Sequence, residues 1–231
     1  MQDFELIREQ DLVDNPSARV AVCLCLDVSG SMTNYNAIHE LNEGIAQFYE
    51  AIKNDEKELY AAEVCIVTFG GNNQAMCEAD FSTLSIQGEP PVLTANGNTP
   101  MGEGVRLALD LLDKRKQEYK DKGVDYYQPW LVLMSDGQPN GNVAILEDAI
   151  QRTRDLVMNK KLSLFPIGIG ADADMDALAR FSPIRPPLRL KGLNFKDFFE
   201  WLSKSISRVS QSTPGDKVPL DLEGVRAWGE A

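Results

Sequence analysis

The chain has 231 residues, 43% of them hydrophobic and 25% charged, the composition of a globular protein that can bury its own core. Its net charge of −12 repels phosphate backbones and anionic membranes, so neither nucleic-acid binding nor membrane binding is expected. The acidic N-terminal segment lacks the apolar stretch of a secretory signal, and no apolar run reaches the roughly 18–20 residues that span a membrane. These features predict a cytoplasmic protein.

Apolar runs alternate with amphipathic stretches along most of the chain. The runs are short and nearly continuous, as in strands buried on both faces of a parallel sheet, and they span residues 19–26, 61–69, 130–134 and 162–169. Apolar residues at intervals of three and four predict helices around residues 38–52, 101–120, 146–157 and 195–209. This alternation, with right-handed crossovers, predicts a doubly wound α/β sheet with helices on both faces.

One segment interrupts the alternation. The sequence FGGNNQAMCEADF indicates a strand end, a glycine–asparagine turn and a second strand at about residues 74–81, which predicts an antiparallel edge strand. The last residues contain proline, glycine and charges without periodicity, and Trp228 is their candidate anchor. The predicted organisation is therefore an N-terminal leader (1–18), one domain (19–210) and a loosely packed C-terminal tail (211–231).

Cysteine spacing gives no sign of a metal knuckle or a redox pair. Cys23 and Cys25 alternate on one predicted strand and so share a face, but they do not form a CxxC motif. Cysteine on a buried strand most often acts as a small hydrophobic residue. We therefore expect no cysteine cluster for soft metals.

Small oxygen-bearing side chains follow the first predicted strand directly. Asp27, Ser29 and Ser31 occupy alternate positions, so they project the same way from an extended stretch, and Gly30 lets the loop bend between the serines. A carboxylate and two hydroxyls are the hard oxygen ligands that Mg²⁺ or Mn²⁺ prefers. Alone, this pattern is also typical of a turn with a helix cap.

Two further loops offer oxygen ligands. Thr99 precedes Pro100 at the start of a predicted helix, and Asp136 follows the strand at 130–134. In a doubly wound sheet, ligands bind at the carboxyl ends of the strands where the strand order reverses, and the strands at 19–26 and 130–134 would be neighbours there. The joint occurrence of the three motifs predicts a divalent-metal site made of Asp27, Ser29, Ser31, Thr99 and Asp136.

The sequences DVSGSM, GNTPMGEGV and LMSDGQP resemble the metal-ion-dependent adhesion site of von Willebrand factor type A domains, and the resemblance covers about residues 19–209. It implies a Rossmann-like fold with a mostly parallel six-stranded sheet and one short antiparallel edge strand. It also implies that the same five residues bind the metal, directly or through water. Mg²⁺ is the expected ion, with Mn²⁺ or Ca²⁺ as alternatives, and an Asp or Glu of a partner protein fills its open position.

Two other segments, FELIREQDLVDNP and LFPIGIG, are similar to the bacterial cytoplasmic type of this family that is associated with tellurium resistance. That resemblance implies a role in a stress-response system. It also implies a partner from the same system, either a kinase-like or a phosphatase-like protein.

Three other functions fit the sequence less well than a binding module: a phosphatase, a metal-ion carrier and an extracellular adhesin. A metal-dependent phosphatase would need a general acid where Ser29 stands, a P-loop lysine is absent, and the only histidine, His39, is expected on a helix surface. A metal-ion carrier has only the acidic charge in its favour, and extracellular adhesion lacks a signal sequence or disulfide framework. We therefore predict a binding module without catalytic residues. The aromatic segment at 126–130 is expected beside or just under the metal face.

Overall fold

The computed structural model describes residues 2–216, 218 and 222–230. These residues form a seven-stranded sheet in the order β3-β2-β1-β4-β5-β6-β7. The strands are β1 (Val20–Asp27), β2 (Ala62–Gly70), β3 (Gln74–Thr83), β4 (Trp130–Ser135), β5 (Ser163–Gly168), β6 (Leu188–Leu190) and β7 (Gly229–Glu230). β3 and β7 are antiparallel to their neighbours at the two edges, and the strands between them are parallel.

Helices cover both faces of this sheet. They are α1 (Gln2–Asp14), α2 (Ala37–Lys53), α3 (Glu56–Ala61), α4 (Leu84–Gln87), α5 (Met101–Lys122), α6 (Val143–Met158), α7 (Met175–Phe181), α8 (Phe195–Ser210) and α9 (Leu222–Trp228). α2, α5, α6 and α8 correspond to the four predicted helices. The doubly wound α/β class is confirmed, as is the antiparallel strand β3. None of the helices in the described ranges is both long and apolar enough to cross a membrane.

Alternation along β1 divides the core into two layers. Val22 and Leu24 face the layer that contains α2 and α8, whereas Cys23 and Cys25 face the layer that contains α5 and α6. Every residue of β1 is buried, because the strand lies between β2 and β4 with helices above and below. The predicted common face of Cys23 and Cys25 is thus observed.

The end of the C-terminal segment is packed through Trp228, the predicted anchor, whereas most of residues 211–216 are exposed. Trp228 is 1% exposed, and its ring lies 4.9 Å from that of Phe198 and 5.2 Å from that of Trp201, measured between centroids. The chain then adds β7 beside β6, which gives one strand more than the six implied by the resemblance. The tail residues 217, 219–221 and 231 lie outside the described residues, as does residue 1 of the leader.

The leader also takes part in the fold. It forms α1, which buries Leu12 in the α5 layer and places Arg8 against the edge strand β3. The helical period of α1 is weak in the sequence because its outer face also carries exposed apolar residues, such as Leu6 and Val13.

Candidate metal centre

β1 ends in a carboxylate that is fully buried. Asp27 is 0% exposed, and its Oδ1 accepts a hydrogen bond of 2.8 Å from the backbone N–H of Ser29. Its Oδ2 accepts a 2.6 Å hydrogen bond from the hydroxyl of Ser135, the last residue of β4. The neighbouring parallel strands β1 and β4 therefore fix this carboxylate between them.

A chain of hydroxyls links the first loop to the second aspartate. The Ser31 hydroxyl donates a 2.7 Å hydrogen bond to Oδ1 of Asp136, and the hydroxyl oxygens of Ser29 and Ser31 are 3.0 Å apart. Because the single proton of Ser31 is directed at Asp136, the Ser29 hydroxyl must be the donor to Ser31. Four of the five predicted residues thus form one connected group at the carboxyl ends of β1 and β4.

The fifth predicted residue, Thr99, lies in a loop that is tied to both of the others. The N–H of Gly30 donates to the carbonyl of Gly97 at 3.0 Å, which joins the Thr99 loop to the serine loop. The N–H of Thr99 donates to Oδ1 of Asn140 at 2.7 Å, and the N–H of Asn140 donates to the carbonyl of Thr99 at 3.0 Å. Thr99 is 5% exposed, and these hydrogen bonds hold its backbone in place.

Two glycines allow the loops to approach so closely. Gly70, at the end of β2, has φ +139°, and a Cβ there would lie 2.4 Å from the carbonyl carbon of Val28. Gly97 has φ +76°, and a Cβ there would lie 2.8 Å from the carbonyl oxygen of Gly70. Both positions require a conformation that side-chain-bearing residues rarely adopt, so glycine is needed to stack the three loops.

The electrostatics of the group favour a bound cation. Burial raises the pKa of Asp27 to about 6, although hydrogen bonds from Ser135 and Ser29 oppose the shift and nearby Asp136 adds to it. Burial also raises the pKa of Asp136, and Asp172 contributes in the same direction. Within the described part of the chain, no lysine or arginine forms an ion pair with Asp27 or Asp136. The protein thus brings together two carboxylates without supplying a counter-charge of its own.

Three residues that shape this group were not predicted from the sequence: Ser135, Asn140 and Gly70. Ser135 stands directly before Asp136 in the SDG motif, so its position at a strand end was a usable signal. Asn140 and Gly70 act through contacts between loops, which carry no local pattern.

The aromatic segment is not beside this group, contrary to the prediction. Trp130 begins β4, whereas Asp136 follows the last residue of that strand. The aromatic segment therefore lies at the amino ends of the strands, opposite the candidate metal centre. Trp130 is 4% exposed and packs on Phe165, as its predicted place in the core requires. The hydroxyl of Tyr127 donates to the carbonyl of Ser212 at 2.6 Å and thereby holds the start of the tail.

Solved structures with the same fold are numerous but distant in sequence. The pilus adhesin SpaC from Lactobacillus rhamnosus GG matches with a TM-score of 0.63 and 14% identity, over 83% of this chain and 31% of that one. Proximal thread matrix protein 1 from the mussel byssus, with a zinc-occupied MIDAS motif, matches with a TM-score of 0.54 and 14% identity, over 83% of this chain and 48% of that one.

A third structure has the extent of a single domain. The von Willebrand factor domain of the type V pilus tip protein Mfa5 from Porphyromonas gingivalis matches with a TM-score of 0.59 and 11% identity, over 87% of this chain and 99% of that one. By contrast, this chain spans only about a third to a half of the pilus adhesin and byssus proteins. At these identities the likeness concerns the fold alone.

Sequence comparison identifies the family. None of the curated proteins compared matches this chain. The sequence profile of the von Willebrand factor type A domain, however, matches residues 21–197, which is well over half of the chain and includes all three loops of the candidate centre. The chain therefore belongs to the von Willebrand factor type A domain family.

Proposed function

We propose that this domain is a divalent-metal-dependent protein-binding module. In this proposal Asp27, Ser29, Ser31, Thr99 and Asp136 hold the metal, directly or through water, as a metal-ion-dependent adhesion site. A carboxylate from an Asp or Glu of a partner protein then completes the coordination. The observation that carries the proposal is a pair of aspartates, Asp27 fully buried and Asp136 half-buried, that are linked through Ser29 and Ser31 and have no lysine or arginine paired with them among the described residues.

The ligand set explains why an acidic protein would recruit an acidic partner. Three of the five proposed ligands are hydroxyls, which carry no formal charge, so only two carboxylates offset the divalent cation. An open position on such a cation attracts an anionic ligand in spite of the surrounding net charge of −12. A single metal contact gives specificity, and the neighbouring loops must supply the remaining interface area.

The choice of ion is part of the proposal. Hard oxygen ligands favour Mg²⁺, with Mn²⁺ or Ca²⁺ as alternatives. The zinc found in the MIDAS motif of the byssus relative supports a divalent cation at the corresponding place but does not select among these ions.

The biological setting rests on the narrower sequence resemblance. We place the protein in the bacterial cytoplasm, in a tellurium-resistance or stress-response system, with a kinase-like or phosphatase-like protein as the partner. The pilus relatives offer the contrasting possibility of an adhesive role outside the cell. Fractionation of the native host with an antibody against this chain separates the two settings.

We do not propose an enzyme. A phosphatase of this architecture needs a general acid near the metal, but position 29 is a serine that already donates to Ser31, and His39 is exposed on α2. Steady hydrolysis of phosphate esters that requires metal and disappears in Asp27→Ala would overturn this view.

The test of the proposal begins with the metal itself. Electron paramagnetic resonance of Mn²⁺ should show one bound ion in the wild type and in Asp121→Ala, an exposed acidic control at the other end of the sheet. The same experiment should show no bound ion in Asp27→Ala, whose fold is checked by circular dichroism. Retention of stoichiometric Mn²⁺ by Asp27→Ala would contradict the assigned site.

Partner capture follows with the same three proteins. Host lysate is passed over each protein with Mg²⁺ or with EDTA, and a partner retained only by wild type and Asp121→Ala with Mg²⁺ supports metal-bridged recognition. Replacing individual Asp and Glu residues of that partner should then abolish binding at one position. Equal binding in EDTA, or by Asp27→Ala, would show that the metal is not the contact.

A further inference from the structure

Three cysteines lie on three adjacent strands and face the same layer, contrary to the expectation that no cysteine cluster exists. Cys23 on β1 is paired in register with Cys65 on β2, and the Cys65 thiol lies beside those of Cys23 and Cys77. The sulfur atoms of Cys65 and Cys77 and a carboxylate oxygen of Asp80 all lie within 4.8 Å of one another. This thiol cluster is separate from the aspartate group, which stands at the strand ends.

Irregularities in β3 create the cluster. In a regular strand, residues 77 and 80 point to opposite faces because side chains alternate. The pairing of β3 with β2 shifts register twice, between Val64 and Ile66 and between Ile66 and Val67. As a result Cys77, opposite Val67, and Asp80, bonded to Arg8, both face the α5 layer. Bulges of this kind re-aim side chains and are frequent beside functional sites.

We propose that Cys65, Cys77 and Asp80 bind a thiophilic divalent cation of the zinc class, with Cys23 available as the fourth ligand. Zinc bonds of about 2.3 Å to sulfur and about 2.0–2.2 Å to oxygen place neighbouring tetrahedral ligand atoms about 3.5–3.8 Å apart. The observed limit of 4.8 Å means that the ligand atoms need to close by about 1 Å at most.

A cation can reach the thiol cluster, and the Asp80 carboxylate is held in a fixed orientation. Cys77 is exposed, and the side chain of Asp80 is 32% exposed, so a cation can enter from the β3 edge of the sheet. Arg8 donates a 2.7 Å hydrogen bond to Asp80 Oδ2, and the N–H of Phe81 donates to Oδ1 at 2.8 Å. Each oxygen keeps a second lone pair for the metal, and such outer contacts orient ligating carboxylates.

The proton and charge balance is simple. Each thiol that ligates releases its proton to solvent and donates a sulfur lone pair to the cation. With Cys65 and Cys77 as thiolates, two thiolates and the Asp80 carboxylate carry −3, against +2 on the cation. Arg8, which Asp80 shares with Glu118, offsets part of the remaining negative charge at this partly buried position.

The test uses Co²⁺ as a spectroscopic substitute for zinc, added to the full-length, reduced, metal-free protein. An Asp27→Ala background removes the aspartate group, so this test does not depend on the proposed adhesion site. We expect thiolate-to-cobalt charge-transfer absorption that saturates at one Co²⁺ per chain and is displaced by Zn²⁺. The matched control Cys25→Ala removes a buried cysteine of the same face outside the cluster and should leave the absorption intact.

Two variants test whether Cys77 and Asp80 are ligands of the metal. Cys77→Ser alters an exposed position and should abolish the charge-transfer band without changing the circular dichroism spectrum. Asp80→Asn should weaken Co²⁺ binding by about tenfold or more, at least the loss typical of removing an outer-shell contact. The absence of the band in the Asp27→Ala protein, or its persistence in Cys77→Ser, would overturn the proposal.

Discussion

Two groups of buried or half-buried carboxylates lie at opposite ends of the central strands, and they differ in whether the described chain supplies their counter-charge. At the amino end, Glu63 of β2 is 0% exposed and accepts hydrogen bonds from Arg115 at 2.6 and 2.8 Å, from Arg19 at 3.1 Å and from Tyr119 at 2.7 Å. At the carboxyl end, the hydrogen bonds that Asp27 and Asp136 accept from the described residues come from hydroxyl and backbone groups. The first group is paired with arginines, whereas no lysine or arginine of the described ranges pairs with the second.

The difference distinguishes a structural cluster from the proposed metal site. A buried charge is tolerated only when it is paired, protonated or bound to a metal. Glu63 is paired within the chain, so its cluster needs nothing from solution and ties α5 and the residues after α1 to the sheet. The aspartate group is left to draw its counter-charge from solution, which supports the proposed metal role.

The largest expected effect comes from breaking the self-sufficient group. Glu63→Gln would leave the buried guanidinium groups of Arg19 and Arg115 with only their more exposed partners among the described residues, Asp11 and Glu118. We therefore expect a loss of about 3–5 kcal/mol in the free energy of unfolding. Urea denaturation measures this loss. Glu118→Gln is the control, since Glu118 also binds Arg115 but its side chain is 25% exposed. We expect a loss of about 1 kcal/mol there because solvent screens that pair.

A loss for Glu63→Gln no larger than that of the control would show that the buried network is not a major source of stability. The binding of Mn²⁺ should be unchanged in the folded fraction of this variant, because the cluster lies at the other end of the strands.

Removing the charge of Asp27 should have the opposite effect on stability when no metal is bound. Saturating Mg²⁺ at 100 times its dissociation constant should stabilise the wild type by about 2.7 kcal/mol through binding to the folded state alone. Asp27→Asn should remove this gain. In metal-free buffer at pH 7.5, however, Asp27→Asn should be more stable than the wild type by about 1–2 kcal/mol, because it removes an ionised carboxylate that burial disfavours.

Thermal and urea unfolding of both proteins with Mg²⁺ or EDTA test this crossing pattern. A variant that is less stable than the wild type in EDTA, yet still gains stability from Mg²⁺, would contradict the role assigned to Asp27.

The sequence predicted what depends on local pattern and order along the chain. Buried runs gave the central strands, and the position of Asp27 and Asp136 directly after two of them predicted their approach in the structure. Features that depend on tertiary contacts were missed. Nothing near Trp228 indicates that two residues beyond it pair with β6, and the bulges that turn Asp80 towards Cys77 leave no signal in the period of the strand. The misplaced aromatic segment was an avoidable error, since residues before a strand lie at its amino end.

Glu58 is a further buried carboxylate, and it differs from both groups. It is 2% exposed on α3, and its Oε2 accepts a 3.3 Å hydrogen bond from the hydroxyl of Ser203. Like Asp27 it has hydroxyl partners, and one of them, Ser207, also donates a 3.3 Å hydrogen bond to Oδ2 of Asp55. Burial raises the pKa of Glu58 to about 7, with Asp55 adding to the shift and hydrogen bonds from Ser207 and Ser203 opposing it. We expect this group to be neutralised by a proton.

A pH-dependent effect on stability follows from that proton. Because the folded-state pKa of Glu58 lies above its unfolded value of about 4.5, its stabilising contribution is complete below pH 4.5 and declines as the pH rises towards 7. Glu58→Gln keeps the shape without the titration, so it should exceed the wild type in stability by about 2 kcal/mol at pH 8 and by little at pH 4.5. Urea denaturation in EDTA across this range measures the difference. Glu56→Gln, at an exposed position of the same helix, should show no such dependence, and an equal dependence in both variants would place the titrating group elsewhere.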